Sequence, residues 1–217
     1  MRLEADGLSW SLPPARAALV AAEAPIRLLI KQKMSVCSVL FSPEFAPSPR
    51  ASLSVFEMTP LAQELVLECG RRANKQEPLS EYDRSLFRTL QMTTWQLAET
   101  PSQAVMPIGR SPGVIRALAL TEEHLSESLR FEDLAQRAGQ TPRTLARNLA
   151  AELGMSWGQT LQRMRMIRAI ELLAETRAPV TEVALCGGYQ SLSAFNAAFR
   201  TFTGQTPTAY RAGFAKS

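Results

Sequence analysis

Histidine and cysteine, which carry much of the metal binding and nucleophilic chemistry of proteins, are scarce in this sequence. A single histidine, His124, occurs in 217 residues, which excludes a histidine-rich metal site and leaves little material for Ser-His-Asp or Cys-His catalysis. The cysteines lie far apart and show neither metal-ligand nor redox-motif spacing: Cys37, Cys69 and Cys186. We therefore expect reduced thiols, no metal site, no cofactor and no catalytic residues.

Long apolar runs are missing as well. No segment approaches the roughly 18 consecutive apolar residues that a membrane-spanning helix needs. The first residues, 1–7, lack the basic-then-apolar layout of a signal peptide. The sequence therefore predicts a cytoplasmic protein with no membrane partner.

Net charge is low, only +4, but the positive charge is unevenly distributed. The segment 137–170 contains one acidic residue, Glu152, and six arginines: Arg137, Arg143, Arg147, Arg163, Arg165 and Arg168. A basic face of this kind attracts phosphate backbones. The alternative is a helix surface that is solvated or paired in salt bridges, and charge alone does not distinguish the two.

Short apolar runs separated by prolines predict a β-rich region over residues 1–59. The predicted strands are 8–12, 17–22, 26–30, 35–41 and 53–56. Fewer than 60 residues is small for a complete sandwich or barrel. We expect the open sheet edges to be covered by a partner or by the helices that follow.

Residues 60–107 read as a helical pair and a linker. Leu61, Leu65 and Cys69 recur every four residues after Pro60, and a second helical pattern covers 80–97 after a polar break. Prolines at 101 and 107 indicate a linker, with a domain boundary near 100–111. The third region, 108–217, is helical throughout.

The helical region contains one unit twice, at about 131–153 and 180–203. Each copy reads as a helix, a glycine turn (Gly139 in one, Gly187–Gly188 in the other) and a second helix capped by Thr141 or Ser191. The apolar stripes of the second helices are Leu145, Leu149, Leu153 and Leu192, Phe195, Phe199, Phe202. A long helix over 157–175 joins the units. Two helix-turn-helix units can enter two segments of the DNA major groove.

The side chains left outside the apolar stripes are the candidates for reading DNA. In the first unit they are Arg143, Thr144, Ala146 and Arg147, and in the second Ser193, Asn196, Ala197 and Arg200. An arginine can donate two hydrogen bonds to guanine, an asparagine can pair with adenine, and an alanine can meet a thymine methyl group. The alternatives are phosphate contacts, surface ion pairs or solvated side chains, and Arg200 fits a phosphate contact better.

Backbone contacts to DNA have their own candidates. Thr141 and Ser191, with the first backbone N–H groups after each, are placed where helix N-termini bind phosphates. The phenylalanines of the second unit have the spacing of a buried core and are not expected to stack on bases.

Residues 187–211 resemble the signature of the AraC/XylS family of bacterial transcription regulators. They carry a Gly-aromatic turn, phenylalanines at 195 and 199, and a closing pattern of Gly204, Pro207, Tyr210 and Arg211. Residues 137–154 resemble the first unit of the family, and 161–173 resemble its linker helix. The resemblance covers about 110–213. It implies a seven-helix domain, sequence-specific binding of double-stranded DNA, promoter control and RNA polymerase as a partner.

The sequence departs from the family pattern at residues 148–151. Asn148-Leu149 and Ala150-Ala151 stand where members often carry aromatic or basic residues. Weaker phosphate anchoring by the first unit is the expected consequence.

The N-terminal part is similar to the back end of the cupin-type sensor domain found in many of these regulators. The similarity lies in residues 13–27, with Ile26 at the place of a histidine, and residues 60–100 resemble the dimerisation region. The predicted fold class is α+β, with a partial cupin-like part and a helical pair before an all-α seven-helix domain. The resemblance implies a homodimer formed through residues 1–100.

Two questions about the N-terminal part stay open. The shortened sensor either binds a small-molecule effector or only dimerises. A cupin-type metalloenzyme with a helical appendage is the alternative function, but it requires histidine or carboxylate ligands, and residues 1–60 contain no histidine.

Overall fold

The computed structural model describes residues 1–13, 16–30, 33–72 and 79–213. The chain folds into two compact units. The first comprises Met1–Ala5 and Leu12–Ser102, and the second Asp6–Ser11 and Gln103–Ala212. A small β-rich part and a helical pair precede a helical region, so the α+β fold class is confirmed.

The strands in the described residues are short. They are β1 (Arg2–Ala5), β2 (Leu8–Ser11), β3 (Arg16–Val20), β4 (Arg27–Leu29), β5 (Leu53–Glu57) and β6 (Val105–Pro107). The helices are α1 (Pro60–Arg72), α2 (Glu81–Ala98), α3 (Pro112–Glu123), α4 (Phe131–Arg137), α5 (Pro142–Leu153), α6 (Trp157–Glu175), α7 (Val180–Cys186), α8 (Leu192–Thr203) and α9 (Pro207–Ala212).

Two antiparallel strand pairs lie in the first unit. Strand β1 pairs with β4, with Leu3 opposite Leu28, and β3 pairs with β5, with Ala18 opposite Val55. The buried side chain of Arg16 is 2.8 Å from Glu57 Oε1, so its charge is compensated across this second pair.

The predicted strand over 35–41 is wrong. This stretch is irregular, although its sequence suits a strand. Val39 and Phe41 pack instead against the core of the helical pair, and the Cys37 thiol donates a weak 3.8 Å hydrogen bond to the Val66 carbonyl oxygen. Packing against α1 and α2 therefore overrides β-propensity, which depends strongly on context.

The helical pair forms as predicted, with one change in its buried face. Leu65, Cys69 and Leu90 are buried together, but Leu61 is 59% exposed. Leu61 follows the first helical residue, Pro60, and the buried face of α1 includes Ala62 instead. Helix α2 begins with a capping box, in which Ser80 and Asp83 each bond the other's backbone N–H.

The second unit begins with a strand pair of which the sequence predicted β2 but not β6. Strand β2 runs antiparallel to β6, with Ser9 opposite Met106, in the stretch predicted as a linker. Helices α3, α4 and α5 follow. Their core includes Val114, Leu134, Leu145 and Leu149, and Trp157 at the start of α6 packs against it.

Helix α6 continues from that first core into a second one. Buried side chains on α6 include Met166, Ala169, Ile170 and Leu173, and α6 packs against α7, α8 and α9. Phe195 and Phe199 are fully buried, and Phe199 meets Tyr210 edge-on with ring centroids 5.5 Å apart. Seven helices, α3 to α9, therefore occupy residues 112–212, as the resemblance implied.

Candidate DNA-binding interface

The two predicted turns have the same backbone geometry. Gly139 and Gly188 both adopt φ +73°, which is the left-handed region that glycine occupies without strain. The next residue in each turn, Gln140 or Tyr189, donates its N–H to a carbonyl five residues earlier, at 2.9 Å in both cases. This is the Schellman arrangement, and it ends α4 and α7 identically.

The second helices of the two units also begin and end alike. The hydroxyls of Thr141 and Ser191 accept the backbone N–H of the third residue on, at 3.2 and 3.4 Å. Gly154 and Gly204 end the two helices with φ +67° and +77°. Both phosphate-contact candidates thus act as N-caps, and their role toward DNA stays a prediction.

Helix α5, which the sequence predicts to read DNA, buries one face and exposes the other. Leu145, Leu149 and Leu153 are buried as predicted. Arg143, Ala146 and Arg147 are exposed, while Thr144 is half-buried and accepts a 2.9 Å hydrogen bond from the Thr141 hydroxyl. Thr144 is therefore the candidate most tied to helix capping.

Helix α8, which the sequence predicts to read DNA, follows the same plan except at Leu192 and at Phe202, which is half-buried. Phe195 and Phe199 are fully buried, but Leu192, predicted to lie in the stripe, is 41% exposed because it is the first residue of the helix. The candidates on this helix are all exposed: Ser193, Asn196, Ala197 and Arg200.

Four arginines of the predicted basic face have partners within the protein. Arg137 Nη2 lies 3.0 Å from the Nε2 atom of His124, which is half-buried. Arg168 pairs with Glu171 at 3.0 Å, three residues along α6. The remaining two, Arg163 and Arg165, donate to backbone carbonyls.

Arg163 joins β6 to the last turn of α8. Its Nε donates to the Val105 oxygen at 2.5 Å and its Nη2 to the Gln103 oxygen at 2.8 Å. The guanidinium carbon lies 5.6 Å from the centre of the Phe202 ring. Burial lowers the pKa of this guanidinium, although arginine stays charged.

Arg143 and Arg147 are different. Neither guanidinium has a hydrogen bond or ion pair to another residue in the described part of the chain, and both are exposed. The basic face therefore reduces to these two side chains on α5, one helical turn apart. Sequence composition overstated it, because it could not show which arginines bind carbonyl groups.

A further functional element, missed by sequence reasoning, is the carboxylate of Glu152. It accepts the backbone N–H groups of Arg110 and Ser111 at 2.6 and 3.0 Å and so joins the end of α5 to the start of α3. Burial alone would raise its pKa, but hydrogen bonds from Ser111 and Arg110 outweigh burial and lower the pKa below its usual value. Its only sequence signal was a lone acid among arginines.

Several known proteins are similar to this chain in sequence. The sequence model of a family described as a helix-turn-helix domain matches residues 134–213. The HTH-type transcriptional regulator NimR of Escherichia coli is 26% identical over 207 residues, which are 93% of this chain and 72% of NimR. A solved transcriptional regulator of Chromobacterium violaceum, with an AraC-type DNA-binding domain, is 28% identical over 48% of this chain and 94% of that one, with a TM-score of 0.47.

Residues 134–213 match a helix-turn-helix domain, and the relatives that this chain resembles are transcriptional regulators. The DNA-binding domain of AdpA, a global transcriptional factor solved in complex with a target DNA, is 35% identical over 48% of this chain and 94% of that one, with a TM-score of 0.45. The chain spans 47% and 34% of the lengths of two other regulators that it matches. The match to the helix-turn-helix family covers residues 134–213, and the cupin-like N-terminal part stays a prediction.

Two further observations concern other kinds of site. Among residues 1–13, 16–30, 33–72 and 79–213, no group of three His, Cys, Asp or Glu side chains is placed to hold a metal ion. No helix within the same residues is long and apolar enough to cross a membrane.

Proposed function

We propose that this chain is a regulator of the AraC/XylS type that binds DNA sequence-specifically and controls promoter activity by placing α5 and α8 in successive major-groove segments. The observation that carries the proposal is the exposure of two unpartnered arginines on α5, in a unit whose turn and caps are repeated around α8. Free guanidinium groups on a groove-sized helix are the commonest means of reading guanine.

Each candidate side chain has a specific role in the proposal. Arg147 reads a base, and Arg143 reads a base or binds a phosphate. Asn196 reads adenine, and Ala197 contacts a thymine methyl group.

Ser193 and Thr144 make shorter polar contacts near the helix starts, and Ala146 lets α5 approach the bases closely. Arg200, Thr141 and Ser191 contact phosphates.

Partners other than DNA are proposed on different grounds. RNA polymerase follows from promoter control. A homodimer through residues 1–100 is supported by large apolar side chains that are exposed in the compact unit containing Leu12–Ser102. They are Leu28, Ile30, Val36, Leu40, Leu61 and Met92. Sedimentation of the full chain tests the dimer, and a thermal-shift screen of small molecules separates a working effector site from a unit that only dimerises.

Selection of bound sequences from a random-sequence DNA library tests the main proposal. We expect the full chain to enrich a site with two conserved segments about one helical turn, 10–10.5 base pairs, apart. Gel shifts then compare that site with a scrambled one. Failure of the folded protein to enrich any sequence, or equal affinity for both DNAs, would refute sequence-specific binding.

A further inference from the structure

One side chain of α6 lies between the two helix-turn-helix units and contacts both. Arg165 Nε donates to the Leu125 carbonyl oxygen at 2.9 Å, and its Nη2 donates to the Glu127 oxygen at 3.2 Å. Both carbonyls belong to the loop that joins α3 to α4, the first helix of the first unit. Arg165 thereby fixes this loop against the connecting helix.

The same guanidinium is in contact with the turn of the second unit. A Cβ atom built on Gly188 would lie 2.5 Å from Arg165 Nη2, 2.6 Å from its Cζ and 2.7 Å from the Leu125 oxygen. The turn, the guanidinium and the loop therefore meet at one point. Tyr189, the next residue, packs edge-on against Phe195 in the second core.

The chemistry of the contact makes it a firm connection. The Arg165 guanidinium is partly buried, and burial lowers its pKa, but arginine keeps its charge and five N–H donors in a rigid plane. Charge-assisted hydrogen bonds to carbonyl oxygens in a partly desolvated site are stronger than neutral ones. Helix α6 connects the two helix-turn-helix units through its backbone. Arg165 adds a direct link between the loop that joins α3 to α4 and the turn at Gly188.

We propose that Arg165 is a positioning residue that holds the two reading helices at one separation and so sets the spacing of groove segments that the protein accepts. This inference deepens the proposed function and rests on it for its DNA readout. Inserting one base pair between the segments moves the second by about 3.4 Å along the duplex. A rigid protein discriminates against that change, whereas a loosened one tolerates it.

A distance measurement without DNA tests whether Arg165 holds the two reading helices at one separation. Spin labels on Ala150→Cys in α5 and Thr201→Cys in α8, with Cys37→Ser and Cys186→Ser, report the distance distribution between the reading helices. We expect a narrow distribution for the parent and one about twice as wide for Arg165→Met, which keeps an unbranched stem but has no donors. Arg168→Met is the matched control, because the pair that Arg168 forms within the described residues is with Glu171 on its own helix. A width unchanged by Arg165→Met would overturn the proposal.

A second measurement uses the DNA site selected by the parent protein, with zero, one or minus one base pair between its segments. We expect the parent to lose about tenfold or more affinity when the spacing changes, the size of one lost base contact, and Arg165→Met to lose less than half of that on a logarithmic scale. An equal loss would mean that Arg165 is merely structural. If Arg165→Met fails to fold by circular dichroism, Arg165→Lys, which keeps the charge but not the fork, gives the same comparison.

The two measurements separate this inference from the proposed function. If the parent selects no DNA site, the proposed function fails while the label distances still judge the connection. If a site is selected and Arg165→Met keeps the spacing preference of the parent, the inference fails alone.

Discussion

The carboxylate of Glu152 accepts a 3.0 Å hydrogen bond from the backbone N–H of Ser111, the N-cap residue of α3. The two residues are 41 positions apart, so the bond joins the end of α5 to the start of α3. Because the carboxylate lies at the start of α3, it also meets the positive end of that helix.

Replacing Glu152 by alanine is expected to lower the stability of the compact unit that contains Gln103–Ala212. The loss is about 1 kcal/mol, near the lower end for a hydrogen-bonded charge, because the side chain is only partly buried. Thermal unfolding of the full chain measures it. Glu175→Ala is the control, since Glu175 is an exposed acid at the end of α6. Equal melting temperatures for both variants would contradict the prediction.

The same contact predicts a pH dependence. The pKa of Glu152 is lowered in the folded state, so its contribution is present above the ordinary value of 4.5 and is lost as pH falls through the folded-state pKa. The difference in stability between the parent and Glu152→Gln should therefore shrink on acidification below that value. A difference that is constant from neutral pH to well below 4.5 would exclude the electrostatic explanation.

Alanine in place of the two turn glycines should have unequal costs. Gly139 and Gly188 share φ +73°, but a Cβ at Gly139 meets nothing within 4 Å, whereas at Gly188 it meets Leu125 and Arg165 below 3 Å. We expect Gly139→Ala to cost about 1 kcal/mol from the left-handed backbone alone, and Gly188→Ala at least about 1 kcal/mol more. Thermal unfolding compares the pair, and equal costs would show that the contact around Arg165 yields easily.

Arg147→Ala and Arg200→Ala should affect DNA binding differently. Loss of a base contact at Arg147 should cost about 1–3 kcal/mol on the selected site and relax its base preference. Loss of a phosphate contact at Arg200 should weaken binding to all sequences and reduce the salt slope by about 1. Gel shifts on selected and scrambled DNA measure both, with Arg168→Ala as control. Identical effects of the two variants on both DNAs would refute this division of roles.

Thiol reactivity should divide the cysteines into two classes. Cys37 and Cys186 are exposed, whereas Cys69 is fully buried and burial raises the pKa of its thiol to about 11. A thiol-reactive dye at pH 8 should therefore label two sites quickly and the third only on unfolding. Cys69→Ala should leave the fast labelling unchanged, and Cys186→Ser should halve it. Three fast sites would mean that the core around α1 opens readily.

Local patterns predicted the helix-turn-helix units well. Helix α5 was expected from the Thr141 cap, Pro142 and the leucine stripe, and Gly154 ends it. Each of these signals acts within a few residues, through caps, glycine conformations and the helical repeat. The family resemblance followed from the same local residues, and for this reason the sequence alone was enough to detect it.

Contacts between distant segments were the part that local patterns could not predict. The pairing of β2 with β6, the irregular course of 35–41 and the partners of Arg163 and Arg165 all join residues far apart in sequence. An arginine on an exposed helix and one bound to carbonyl groups have the same sequence appearance. Only the folded chain, by bringing Leu125 and Gly188 to Arg165, decided which arginines bind other parts of the protein and which stay exposed without a partner among the described residues.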